Sequence, residues 1–151
     1  MQYTSEIIIN KPLDFVIKKM NNPNNMKHWQ DGLVANEYIS GSPGQFGAKM
    51  KLHYNFGKRK MELIETITKQ NLPDEFHATY TTKGVRNIQE NYFVNFKGHS
   101  TKWICKNAFE PTSLKMNAML FFMPKAFKKQ TKMYMANFKN FAENNSTVSN
   151  A

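Results

Sequence analysis

The chain has a single cysteine, Cys105, in 151 residues. An internal disulfide is excluded, and one thiol cannot build a thiolate metal site. A buried thiol facing the core would be an inert small hydrophobe. Arginine is scarce as well: Arg59 and Arg86 are the only two, and lysines carry the net charge to +10. Phosphate and base readout lean on the arginine fork, and the lysines are spread along the chain without an interleaved aromatic platform, so nucleic-acid binding is not expected. Long apolar runs are missing. Ala118 to Met123 stops at Pro124 and Lys125, far short of the roughly 20 residues of a spanning helix. The first ten residues lack a basic stretch followed by an apolar one, so no signal peptide is read. A soluble cytoplasmic protein is the expectation.

Motifs of common chemistries are also missing. His28, His53, His77 and His99 fall on separate elements with no i, i+4 spacing, so no metal site is expected. Gly41, Gly44 and Gly47 are not followed by Gly-Lys-Ser/Thr, and no Gly-x-Ser-x-Gly elbow occurs; no cofactor is expected.

What is present is an order of patterns. A strand-like stretch from Tyr3 to Asn10 runs into short helical segments between Pro12 and Trp29, with Asn10 as N-cap, Pro12 in the first turn and a break at Asn21-Asn22-Pro23. Strand-like runs fill Leu33 to Phe109. The clearest is Ala48, Met50, Leu52, Tyr54 and Phe56 against Lys49, Lys51, His53 and Asn55. The apolar face of the next is Met61, Leu63, Glu65 and Ile67, followed by Phe76, Ala78, Tyr80 and Thr82. The following runs read Ile88, Glu90, Tyr92, Val94 and Phe96, then Trp103, Cys105, Asn107 and Phe109. Short turns make these an antiparallel meander. Leu114 to Glu143 reads as one long amphipathic helix, kinked or divided at Pro124. The domain spans 1–143, and the polar tail 144–151 is expected to be disordered.

The fold class is therefore α+β: a seven-stranded curved antiparallel sheet around a long C-terminal helix. The chain resembles the START-like (SRPBCC) superfamily, the Bet v 1-like helix-grip proteins that include polyketide cyclase/dehydrase-like members. The resemblance rests on Ile7 to Pro12, on Pro23 to Trp29, on Leu72-Pro73-Asp74-Glu75-Phe76 and on Phe109-Glu110-Pro111. It implies a cavity between sheet and helix that takes lipids, sterols, polyketides or other apolar molecules.

In such a container a small hydrophobic ligand would be buried against Met50, Leu63, Tyr80, Tyr92, Trp103, Met119, Met123 and Phe127, with Tyr54 and Asn107 among the groups that orient it. Glu65 and Glu90 are the catalytic candidates, because a carboxylate on an apolar face has a raised pKa and can move protons. Carrier, cyclase/dehydrase-like enzyme and a protein-interaction module similar to Hsp90-activator domains are the three readings. The lysines of the last helix read as a solvated face, or else as a transient contact with an anionic membrane surface.

Overall fold

The structure, a computed structural model, describes residues 1–148. Strand β1 (Gln2–Ile9) leads into helix α1 (Leu13–Met20), a 3-10 turn at Pro23–Asn25 and the four-residue helix α2 (Met26–Trp29). Strands β2 (Leu33–Ser40), β3 (Lys49–Phe56), β4 (Arg59–Asn71), β5 (Glu75–Thr82), β6 (Val85–Phe96) and β7 (Ser100–Pro111) follow. Helices α3 (Leu114–Phe122) and α4 (Pro124–Asn144) close the chain. The seven strands form one antiparallel sheet in the order β1-β7-β6-β5-β4-β3-β2. From β2 onward consecutive strands are neighbours, and two-residue turns join two of the pairs: Phe56 pairs with Arg59, and Thr82 with Val85.

The second of those turns requires its glycine. Gly84 has φ +91°, and a Cβ there would lie 2.9 Å from Ser113 Oγ. That hydroxyl is the N-cap of α3 and accepts from the Met116 N–H at 3.2 Å, which satisfies one of the free donors of a first helical turn.

The C-terminal helix is divided, as Pro124 led one to expect. Met123 leaves the helical region (φ −129°, ψ 49°), which a following proline disfavours. The core therefore rests on α4, whose Met135, Phe138, Phe141 and Ala142 are buried, whereas α3 buries only Leu120. Lys139 fastens α4 to the sheet by donating to the Ile8 carbonyl and to Glu143 Oε2, both at 2.6 Å. Glu143 Oε2 also accepts from the Asn10 N–H at 2.8 Å. Asn10 is thus not the N-cap of α1; that position is Pro12, which has no cap bond from a side chain.

The tail is a correction up to residue 148. Thr147 Oγ1 lies 2.9 Å from His28 Nδ1, and the Val148 N–H donates to the His28 carbonyl at 3.0 Å, so this segment folds back on α2. Residues 149–151 lie outside the described residues.

Trp29 is the joint between layers. Its ring meets Phe138 at 5.4 Å, Trp103 at 6.1 Å and Tyr134 at 6.4 Å, each edge to face, the favourable arrangement for aromatic quadrupoles. Phe138 is fully buried against both tryptophans. Phe138→Ala is expected to cost about 3–5 kcal/mol by cavity formation, read from urea unfolding; a loss under about 1 kcal/mol would show that α4 does not hold the sheet closed.

Candidate functional site

A cavity of about 90 Å³ lies between the concave face of the sheet and the α1–α2 segment. Its apolar walls include Met20, Met26 and Trp29 on the helical side and Met50, Ile67, Phe76, Phe93 and Trp103 on the sheet. Its polar groups are Asn21, Gln30, Glu65, Tyr80, Gln89 and Asn91. Sheet register explains the grouping. Met50, Glu65, Tyr80 and Asn87 are successive cross-strand partners on β3, β4, β5 and β6, so they form one row on the inner face.

Glu65 is buried in that row. Burial raises its carboxyl pKa above the usual glutamate value, and the hydrogen bond from the Tyr80 hydroxyl opposes the rise only in part. Burial and the neighbouring Glu65 charge in turn hold Tyr80 well above an ordinary phenol. A third phenol, Tyr54, donates to Gln30 Oε1 at 2.5 Å and is also raised, first by burial and then by Tyr134 and Glu65. Burial thus favours the uncharged form of the Glu65 carboxyl, which can donate to an acceptor in the cavity, while its ionised form can take up a proton.

A ladder of amides floors the other half. The Trp103 indole N–H donates to Asn91 Oδ1 at 2.8 Å, and Asn91 Nδ2 donates to Gln89 Oε1 at 3.2 Å. Gln89 Nε2 and Asn87 Nδ2 converge on Asn107 Oδ1 at 3.2 and 3.0 Å, and Asn107 Nδ2 donates to Cys105 Sγ at 3.2 Å. Burial pushes the Cys105 thiol up to about 12, which leaves it without nucleophilic character at neutral pH. One donor is left over. The indole N–H of Trp29, a residue of the cavity wall, is buried and has no hydrogen-bond partner among the described residues. Buried N–H groups are nearly always paired, so an orphan beside a cavity marks a place for an acceptor.

No protein-family model matches the chain, and no curated protein matches it in sequence. Solved structures do. A conserved protein from Geobacillus kaustophilus has TM-score 0.78 at 12% identity, over 97% of both chains. The allergen Ara h 8.0201 has TM-score 0.75 at 9% identity, over 94% of this chain and 97% of its own. The Zhui aromatase/cyclase from a Streptomyces species has TM-score 0.74 at 9% identity, over 98% and 99%. The chain has the Bet v 1-like helix-grip fold.

Within this helix grip, Met50, Glu65, Tyr80 and Trp103 meet around the cavity. Tyr54 and Asn107 are buried one step behind it, through Gln30 and through Gln89. Leu63 packs against the core. Glu90 and Tyr92 are corrections. The inner face of β6 is Val85, Asn87, Gln89, Asn91 and Phe93, so Glu90 and Tyr92 lie on the outer face, where the Tyr92 hydroxyl donates to Glu90 Oε2 at 3.1 Å and Lys106 sits over the ring. The face was misassigned because the outer residues Ile88, Tyr92, Val94 and Phe96 are the more apolar set. Met119, Met123 and Phe127 are corrections too. The break at Pro124 carries α3 away, leaving Met123 exposed and Met119 half-buried, and Phe127 packs against Phe109 at 4.9 Å with the rings tilted, rather than lining the cavity.

Gln30, Gln89, Asn91 and Trp29 were missed as site residues. For the β6 amides the signal was available: a two-residue turn at Lys83-Gly84 pairs Thr82 with Val85, so an inward Thr82 fixes an inward Asn87, Gln89 and Asn91. Among the described residues no group of three His, Cys, Asp or Glu could hold a metal ion, and no helix is long and apolar enough to cross a membrane.

The buried Glu65 makes stability depend on pH in a stated direction. Between its ordinary and its raised pKa the native state binds more protons than the unfolded state, so stability falls as pH rises through that window and levels off above it. Glu65→Gln accepts the Tyr80 hydroxyl without ionising. The variant is expected to match wild type most closely near about pH 4 and to gain on it by about pH 8, read as the difference in urea midpoints. A constant difference across that range would mean that Glu65 is not desolvated in the native state.

Proposed function

We propose that the protein binds a small, largely apolar molecule carrying a hydrogen-bond acceptor, held between the sheet and α2. The observation that carries this reading is the pairing, in one cavity, of apolar walls with two donors. One is the Trp29 N–H, without a hydrogen-bond partner among the described residues, and the other is the Glu65 carboxyl, whose uncharged, donating form burial favours. A volume of about 90 Å³ is worth roughly three waters at about 30 Å³ each, and lies below the ~300 Å³ of a typical ligand pocket. A ligand no larger than about one ring therefore fits better than a sterol or a long acyl chain. Met20, Met26 and Met50 give the walls room to adapt, because a thioether chain repacks at little cost.

A second reading has an observation of its own. The Glu65–Tyr80 pair is a proton-transfer group in a water-poor site, and two solved structures of this fold are named as enzymes, an aromatase/cyclase and the Thalictrum norcoclaurine synthase. On this reading Glu65 protonates or deprotonates a carbonyl compound oriented by Trp29 and Tyr80.

Both tryptophans of the chain, Trp29 and Trp103, line the cavity, so intrinsic fluorescence reports on its contents directly. Titration with small aryl ketones such as acetophenone is expected to quench or shift the emission with saturation, and palmitate or cholesterol is not. Ile67→Phe and Met50→Phe, which fill the cavity, should weaken binding at least about ten-fold while the thermal midpoint stays within a few degrees. Undiminished binding in both variants would move the ligand elsewhere. Turnover of a bound ketone that Glu65→Gln abolishes, with binding retained, would establish the enzyme over the carrier.

A further inference from the structure

Helix α3 is built for burial and is not buried. Its sequence, Leu114 to Phe122, is apolar nearly all round, a composition that normally belongs inside a protein or against another apolar phase. Yet Leu114 is 89% exposed, Phe121 78%, Phe122 77% and the following Met123 56%. Leu120 alone is buried. Phe121 and Phe122 pack on each other at 5.1 Å, edge to face, and make a projecting aromatic pair.

The surroundings of this helix are predominantly positive. Antiparallel order brings the β3–β4 turn, the β5–β6 turn, the N-terminus and the β7–α3 link to the same end of the sheet. Two hydrogen bonds tie them there: the Thr112 N–H donates to the Gly84 carbonyl at 2.7 Å, and the Phe109 N–H to the Met1 carbonyl at 2.8 Å. The turns contribute Lys58, Arg59, Lys60 and Lys83, and the helices contribute Lys115 and Lys125, all exposed. Among the described residues none of these six belongs to an ion pair. Arg86, also at this end, is answered by Glu110 at 3.7 Å. From Pro111 through Ala142 the chain has no aspartate or glutamate at all.

We propose that this end of the molecule docks on an anionic phospholipid surface, with Leu114, Phe121, Phe122 and Met123 entering the acyl boundary and the surrounding cations resting among the headgroups. Apolar side chains ringed by lysine are the composition that a charged bilayer interface satisfies on both counts. A protein partner would have to match the rim with acids, and a second copy of this chain offers the same positive charge to its twin. Arginine, which would favour directional phosphate forks, is mostly replaced by lysine, which serves as a point charge and needs no fixed geometry. The inference does not depend on what the cavity holds.

Co-sedimentation with vesicles tests it. Wild type is expected to bind phosphatidylcholine vesicles containing phosphatidylglycerol, to bind pure phosphatidylcholine at least about ten-fold more weakly, and to lose the difference at high salt. Phe121→Ala with Phe122→Ala keeps good helix formers at exposed positions, so the circular dichroism and thermal midpoint should hold while partitioning falls about ten-fold or more. Lys115→Glu with Lys125→Glu should do the same on anionic vesicles only. Binding that ignores the phenylalanine pair would reduce the effect to polyanion attraction and overturn the proposal. So would failure to bind vesicles together with a dimer, seen by light scattering, that the phenylalanine variant dissociates.

Discussion

The structure depends on Trp29 being wedged between two layers. A curved sheet wrapped on one helix has to be held at a set distance from it, and here a four-residue helix does that by packing one indole edge to face against both Trp103 of β7 and Phe138 of α4, which also meet each other. The same wedge leaves space beside it. Where the ring fills the gap the core is closed, and next to it, toward Met50, Glu65 and Tyr80, the gap stays open as the cavity. The closed core and the open cavity are thus two consequences of one side chain, whose indole N–H has no partner among the described residues.

The second constraint is polar. Four amides on the concave faces of β6 and β7 would each be costly to bury alone, and they are tolerated because they satisfy one another and the Trp103 indole. Glu65 has no such company beyond Tyr80. Burial holds its carboxyl above the ordinary glutamate value, so this part of the site is suited to donating a hydrogen bond and ill suited to binding a second anion. Charge that is excluded from the interior is concentrated outside, at the end of the sheet carrying α3.

The sequence revealed the architecture and half of the site. Alternation in β3 and β4 put Met50 and Glu65 on the inner face, and the same pattern in β5 and β7 did so for Tyr80 and Trp103. It failed at β6, where apolarity points outward: Ile88 and Tyr92 cover a polar outer surface while Asn87, Gln89 and Asn91 face in. Hydrophobic alternation cannot recognise an inner face made of amides, but turn length could have. The helix end was misjudged for another reason. Pro124 announced the division, but only the structure shows that most apolar residues of α3 face away from the core, so that Met119 and Met123 do not line the cavity. The N–H of Trp29, unpaired among the described residues, is a matter of three-dimensional surroundings that no pattern encodes.

The central claim is that the cavity around Trp29 and Glu65, and not the exposed apolar helix, is where a small ligand sits. The methionines distinguish the two places. Met20, Met26 and Met50 line the cavity, while Met116, Met119 and Met123 belong to α3 and its end. Methyl NMR of the methionine-labelled protein titrated with acetophenone reads both at once. The account expects saturable shifts at Met20, Met26 and Met50 with the α3 methyls unmoved; shifts confined to Met116, Met119 and Met123, or none at any methionine, would contradict it.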